Sequence, residues 1–87
     1  GVLKVRLDKF LKVSRLIKRR TVAKQVCEGG LVSVNGRVAK ASTEVNVGDI
    51  IEIRMGEKAT RYLVNEIREF ATVEEALKMV TRLDSTC

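Results

Sequence analysis

The sequence predicts an α+β domain in which two N-terminal helices pack on a small antiparallel sheet and a C-terminal helix follows. Three features predict this order: apolar residues at helical spacing near the N-terminus, an Asn-Gly pair between two apolar segments, and a helix-capping motif near the C-terminus. A chain of 87 residues buries about 60–65% of the surface that its unfolded form exposes. We therefore expect one compact domain.

The first predicted helix begins near Leu7 and has one apolar face. Its apolar residues recur at intervals of three and four, which is the spacing of a helix with one buried stripe. They are Leu7, Phe10, Leu11, Val13, Leu16 and Ile17. We expect the chain to break around Lys18–Thr21.

A second, shorter helix is expected after this break. Its predicted N-cap is Thr21 or a neighbour, and Gly29-Gly30 ends it. If Thr21 is the cap, Lys24 is the third helical residue. Its apolar face consists of Val22, Ala23, Val26 and Cys27. Cys27 is therefore expected in the core and Cys87 in a loose tail.

The segment LVSVNGRVAK predicts a β-hairpin. Val32 and Val34 alternate with a serine, and Asn35-Gly36 supplies two residues that tolerate the positive φ of a type I′ turn. The chain is expected to return through Arg37–Lys40.

Two more strands are predicted in the C-terminal half. A turn at Val47-Gly48-Asp49 leads into a strand over Ile50–Arg54. Residues 55–60 are expected to form a loop, and strand character returns over Arg61–Ile67.

The last predicted element is a helix. Thr72 and Glu75 have the spacing of a capping box, in which each residue's side chain bonds the other's backbone N–H. The apolar face expected for this helix consists of Val73, Ala76, Leu77 and Val80.

Positive charge is concentrated near the N-terminus. The net charge is +6, and the stretch from Lys4 to Lys24, the cationic segment, contains nine basic residues and one acid, Asp8. The other residues contribute eight basic and ten acidic groups. Such an asymmetry indicates an anionic partner.

The composition excludes several kinds of site. Histidine is absent, so Ser-His-Asp and Cys-His arrangements cannot form, and two cysteines cannot supply four zinc ligands. Neither a Walker loop nor a dinucleotide fingerprint is present. Asp8, Asp49 and Glu52 are candidates for a carboxylate pair, but helix starts and turns favour acids for local reasons. We expect no enzyme, metal ion or cofactor.

Three interpretations of the cationic segment remain open from the residues alone. A solvated helix face normally mixes charges of both signs, and a membrane-surface helix needs a free apolar face, often with aromatic residues. Nucleic acid fits best, because spaced lysines and arginines neutralise phosphates.

Structured RNA is the favoured nucleic acid. The few aromatic residues cannot form a base-stacking platform, so we expect a grip dominated by phosphate contacts. The break at Lys18–Thr21 would also place Arg19 and Arg20 beside the free N–H groups of the second helix, which attract anions.

Four blocks of the sequence have a characteristic order and spacing. They are Arg6-Leu7-Asp8-Lys9-Phe10-Leu11, Arg19-Arg20-Thr21-x-Ala23, Gly30-x-Val32-x-Val34-Asn35-Gly36 and Val47-Gly48-Asp49-x-Ile51. Together they resemble the RNA-binding module first seen in ribosomal protein S-four. The resemblance covers residues 6–54 and implies two helices on a small bent sheet, with RNA held along the helical pair and the adjoining hairpin edge.

The stretch RLDKFLKVSRLIKRRTVAK also resembles the small bacterial proteins of the RqcP (YabO-like) type, relatives of the ribosome-associated heat-shock protein. This resemblance implies binding to the split, stalled large ribosomal subunit, through its rRNA and the tRNA in the peptidyl site. It further implies support for an RqcH-type factor that adds a C-terminal alanine tail to the nascent chain. We expect a cytoplasmic monomer that does not associate with membranes.

Carried over by position, Arg6 and Arg20 are the arginines most expected to contact phosphates. The other residues expected to bind RNA are Lys9, Lys12, Arg15, Lys18, Arg19, Lys24 and Lys40. Asp8 is expected to cap or pair locally, and Asn35 and Gly36 to serve the turn.

The predicted organisation has three parts. Residues 1–5 are an N-terminal extension or a remnant of cloning, residues 6–54 are the RNA-binding module, and residues 55–87 supply a C-terminal strand and helix that complete the single domain. The alternative function is an RNA-targeting domain excised from an RNA-modifying enzyme such as a pseudouridine synthase.

Overall fold

A computed structural model describes residues 4–83, which form an α+β fold. Residues 1–3 and 84–87, including most of the predicted extension and the predicted tail residue Cys87, lie outside the described part. The elements in chain order are β1 (Val5–Arg6), α1 (Leu7–Val13), α2 (Arg20–Glu28), β2 (Val32–Val34), β3 (Arg37–Val38), β4 (Glu44–Val45), β5 (Ile50–Met55), β6 (Lys58–Val64), α3 (Val73–Met79) and β7 (Val80–Arg82).

The strands form two antiparallel sheets. The larger sheet has the order β3-β2-β5-β6-β7, and β1 pairs with β4 in a separate two-stranded ladder. The predicted order of elements, two helices followed by a sheet and a further helix, is confirmed. The β1–β4 ladder and β7 were not predicted.

The core lies between the two N-terminal helices and the sheet. Leu7, Phe10 and Leu11 of α1 are fully buried, as are Val32 and Ile51 of the sheet. The predicted apolar stripe of α1 therefore faces the core. Burial of this stripe, rather than helix propensity, stabilises a helix of only seven residues.

The first helix is shorter than predicted. It ends at Val13, not near Ile17, and the break covers the residues up to Arg19. Arg15 has a φ of 62°, in the left-handed region, and a right-handed α-helix cannot continue through a residue in that conformation. The amide of Ile17 nevertheless bonds the carbonyl of Leu11 at 3.1 Å. Ile17 thus reaches the core through a turn, which explains why its spacing imitates a helix.

Of the predictions for the two hairpin connections, one is confirmed and the other is wrong. Asn35 and Gly36 have φ values of 53° and 85°, so the predicted tight turn between β2 and β3 is confirmed. The predicted loop over residues 55–60 is wrong, because Met55 pairs directly with Lys58 across a two-residue turn. Gly56, with a φ of 64°, permits that turn.

The capping box of α3 is confirmed. The Thr72 hydroxyl accepts from the Glu75 amide at 3.2 Å, and the Glu75 carboxylate accepts from the Thr72 amide at 3.0 Å. The latter bond, followed by the charge of Arg68, lowers the pKa of Glu75.

The predicted apolar face of α3 is partly wrong. Val73 and Leu77 are exposed, whereas Ala76 and Met79 are buried. Val80 belongs to β7, where it pairs with Val64. The chain leaves the helix there to extend the sheet.

Cys27 is a core residue, as predicted. It is a free thiol with 2% exposure. Burial, followed by the charges of Asp8 and Glu28, raises its pKa from 9.0 to about 11. The thiol therefore stays protonated and unreactive near neutral pH.

We expect Cys27 to be protected from thiol reagents in the native state. In a Cys87→Ser variant it is the remaining thiol, so Ellman's reagent should label native protein slowly near neutral pH and faster toward pH 11, because only the thiolate reacts. Since folding raises this pKa, the associated stability is present below pH 9.0 and is lost as the pH rises through about 11. Urea melts across that range measure the loss. Native labelling near neutral pH as fast as that of unfolded protein would contradict this assignment.

Candidate nucleic-acid interface

The structure distributes the predicted RNA-binding residues over the two N-terminal helices, their connection and the first hairpin. Arg6 is the N-cap of α1, Arg19 is the N-cap of α2, and Lys40 follows β3. Lys9 is half-buried, whereas the other predicted cations are exposed. Those others are Arg6, Lys12, Arg15, Lys18, Arg19, Arg20, Lys24 and Lys40.

A buried carboxylate joins the start of α1 to the start of α2. The side chain of Asp8 is 3% exposed, and its Oδ1 accepts from Arg6 Nε at 3.3 Å. Its Oδ2 accepts from Arg20 Nε at 3.4 Å, and the amide of Lys9 donates to Oδ1 at 2.8 Å. The single acid of the cationic segment therefore pairs locally with Arg6, as predicted, and also with Arg20, which is 12 positions away in the chain.

This bridge orients both guanidinium groups. Arg6 and Arg20 each bond Asp8 through Nε, and their side chains remain 51% and 50% exposed. About half of each side chain is thus open to solvent while its Nε stays on the carboxylate. A guanidinium held in this way can donate paired hydrogen bonds to a phosphate with little further loss of side-chain freedom.

Two adjoining openings bring four of the predicted cations together. Arg6, Lys24 and Lys40 line a groove of about 510 Å³ between α2 and the segment after β3. Arg6, Arg20 and Lys24 line a neighbouring opening of about 310 Å³. We call the surface formed by Arg6, Arg20, Lys24 and Lys40 the cationic groove. Glu28 also borders it.

A second group of cations surrounds an exposed aromatic ring. Lys12 and Arg15 line a smaller opening with Phe70, and the Lys9 ammonium lies 5.8 Å from the centroid of that ring. Lys18 and Arg19 lie in the connection between α1 and α2, where they are exposed. The sequence indicated one cationic segment, and the fold divides most of it into two clusters.

The start of α2 differs in detail from the prediction. Its N-cap is Arg19 rather than Thr21, so Lys24 is the fifth helical residue and not the third. Arg19 makes no side-chain capping bond. The first amides of α2 therefore lie beside Arg19 and Arg20 without a capping side chain, which is a favourable setting for an anion.

Two of the three carboxylates considered for catalysis, Asp8 and Asp49, have structural partners. Asp49 accepts from Asn35 Nδ2 at 3.1 Å and from the Asn46 amide at 2.8 Å. Asn35 also accepts from the Ile50 amide at 2.9 Å, which supports its predicted role in the turn. Within residues 4–83, no three His, Cys, Asp or Glu side chains are grouped to hold a metal ion. In the same range, every helix falls short of the length and apolarity needed to cross a bilayer.

Sequence reasoning missed the proximity of Phe70 to the cationic segment. Phe70 is about 60 residues from Lys9 in the chain, and no local pattern predicts a contact at that separation. The double bridge at Asp8 did leave a signal, because Asp8 is the one acid among nine bases in the cationic segment.

Comparisons with known proteins agree with this architecture. The S4 domain model matches residues 5–51. The chain is 53% identical over 79 residues to the RQC P-site tRNA stabilizing factor of Bacillus subtilis, covering 91% of this chain and 92% of that protein. It is 57% identical over 72 residues to the protein of the same name from Halalkalibacterium halodurans, covering 83% and 82%. The solved trimeric structure of Vibrio cholerae Heat Shock Protein 15 has a TM-score of 0.84 and 33% identity over 92% of this chain and 82% of that one.

Substitution of Arg15 distinguishes the effect of its backbone conformation on stability from the effect of its charge on RNA binding. Its left-handed backbone suits glycine better, so we expect Arg15→Gly to leave the free energy of unfolding unchanged or raise it by up to about 1 kcal/mol. Its affinity for structured RNA should fall, because a cation is lost. Thermal melts and fluorescence anisotropy measure the two effects.

Asn35→Gly is the matched control for Arg15→Gly. It removes the other non-glycine residue with positive φ among residues 4–83, together with two side-chain hydrogen bonds. It should therefore destabilise the fold and leave RNA affinity unchanged. Arg15→Gly protein with unaltered RNA affinity would remove Arg15 from the interface.

Proposed function

The chain belongs to the family of RQC P-site tRNA stabilizing factors and carries an S4 domain, and on this premise we propose that it is an RNA-binding factor of ribosome-associated quality control. Its binding target is structured RNA, held mainly through phosphates. The observation that carries this proposal is the pair of half-exposed arginines oriented by the buried carboxylate of Asp8.

The chemistry of the cationic groove supports a phosphate ligand. Arg6 and Arg20 present planar donor forks, and Lys24 and Lys40 add ammonium groups along the adjoining groove. Guanidinium forks match the spacing of phosphate oxygens, while lysines act as point charges. Several such contacts along one surface fit a folded RNA backbone better than a single small anion.

The RNA that we propose is carried by the ribosome. The relatives are named for stabilising P-site tRNA, and by analogy this chain contacts the peptidyl-site tRNA and the rRNA of the split, stalled large subunit. In that position it supports an RqcH-type factor during C-terminal alanine tailing of the nascent chain. It acts in the cytoplasm as a monomer.

A non-enzymatic role is part of the proposal. The relatives' name describes a stabilizing factor, and the sequence has no histidine to serve as a general base. The alternative, an RNA-targeting domain excised from a modifying enzyme, is disfavoured because the aligned relatives match this chain over 92% and 82% of their own lengths.

We assign the interface to residues 6–54, with residues 55–87 completing the same domain. The match of the S4 domain model to residues 5–51 supports the assignment of the interface to residues 6–54. The pairing of β6 with β5 in one sheet supports the assignment of the C-terminal part to the same domain. The proposed RNA-binding residues are Arg6, Lys9, Lys12, Arg15, Lys18, Arg19, Arg20, Lys24 and Lys40.

The proposal predicts that the protein co-sediments with large ribosomal subunits that bear tRNA. Arg20→Ala should weaken this binding by about 1–3 kcal/mol, because a charge-assisted phosphate contact is lost. It should also lower the slope of log affinity against log salt by about 1. Gradient sedimentation at several salt concentrations measures both quantities.

Arg61→Ala is a suitable control because it removes the same charge from β6, outside the cationic segment. Its binding should remain close to wild type. Binding to free tRNA but not to large subunits would favour the enzyme-domain alternative. A folded Arg20→Ala variant with wild-type affinity and salt slope would contradict the assignment of Arg20.

A further inference from the structure

Phe70 is an exposed aromatic residue on a braced loop. It lies between β6 and α3 and is 83% exposed, more than any other large apolar residue described in 4–83. Arg68 bonds Glu66 at 3.1 Å and Glu75 at 3.2 Å, which ties this loop to the start of α3. The position of the ring is therefore supported by its neighbours, although the ring itself is not packed in the core.

The surroundings of Phe70 are mostly cationic. Lys9 lies 5.8 Å from the ring centroid, and Lys12 and Arg15 line the same opening. Glu69 is the one acid on that rim. Because a cation covers one face and most of the residue is exposed, the opposite face is open to a planar ligand.

We propose that Phe70 stacks on an unpaired nucleobase of the bound RNA, while Lys9, Lys12 and Arg15 hold the phosphates on either side of it. The inference rests on the proposed RNA-binding function and adds a second contact beside the cationic groove. It assigns this surface to an RNA bulge, loop or single-stranded end, since a base within a continuous helix presents no free face.

A base fits this surface better than an apolar partner does. The opening is only about 160 Å³, and its other apolar lining residues are Val13 and Ala71. That is small for a pocket binding a drug-sized ligand, which occupies about 300–1,000 Å³. Three cations around one aromatic ring complement a base with its flanking phosphates, because stacking accepts any base and the charges hold the backbone.

Two RNA hairpins with the same stem provide the test. One is fully paired, and the other carries a single bulged adenosine. We expect wild-type protein to prefer the bulged hairpin in fluorescence anisotropy. Phe70→Ala should reduce affinity for the bulged hairpin about ten-fold and leave affinity for the paired one unchanged, in line with the cost of losing one stacked base.

Variants at position 70 separate stacking from apolar packing. Phe70→Trp should retain the preference for the bulge, whereas Phe70→Leu should lose it. Met55→Ala, which removes another exposed apolar side chain, should bind both hairpins as wild type does. The natural chain contains no tryptophan, so the tryptophan fluorescence of the Phe70→Trp protein comes from position 70 alone. It should be quenched by the bulged hairpin and not by the paired one.

The outcomes distinguish this inference from the proposed function. Wild-type protein that binds neither hairpin nor tRNA-bearing large subunits would overturn the proposed function. If wild-type protein binds RNA and Phe70→Ala or Phe70→Leu keeps the wild-type preference, only the stacking contact is overturned. An equal loss on both hairpins would also overturn it, because the ring would then not be reading an unpaired base.

Discussion

The bridge from Asp8 to Arg6 and Arg20 is the interaction on which the candidate interface depends. It links the start of α1 to the start of α2 across 12 positions of the chain. A buried carboxylate that lost these partners would keep only the bond from the Lys9 amide, which compensates its charge incompletely, so folding itself favours both arginines beside it. Each arginine is half-exposed, so both remain accessible from solvent while they bond the carboxylate. A structural requirement at Asp8 thus holds two half-exposed arginines together, which is the arrangement that the proposed phosphate contact requires.

Local sequence patterns predict much of the fold, and the predictions that were wrong failed for physical reasons. The stripe of α1, the turn at Asn35-Gly36 and the capping box at Thr72 each depend on residues close in the chain, and each is confirmed. The length of α1 was predicted wrongly because Ile17 reaches the core through a left-handed turn at Arg15. Such a turn has no glycine to reveal it.

The candidate site shows the same division between local and long-range information. The concentration of cations is a property of consecutive residues, and the sequence therefore reveals it without the fold. Which cations share a surface depends on tertiary contacts: Lys40 joins Arg6 and Lys24 because the chain after β3 passes α2. Lys9 meets Phe70 because the loop before α3 returns to α1. The family resemblance already places Lys40 at the interface, whereas the contact between Lys9 and Phe70 has no signature in the sequence.

The affinity of an Asp8→Asn variant for tRNA-bearing large subunits tests this account most directly. The substitution makes the protein more positive by one charge, so a purely electrostatic attraction to RNA predicts tighter binding. Our account predicts weaker binding, because Arg6 and Arg20 lose the carboxylate that orients them, while circular dichroism still reports a folded protein. Folded Asp8→Asn protein that binds as tightly as wild type, or more tightly, would contradict the central role of the bridge.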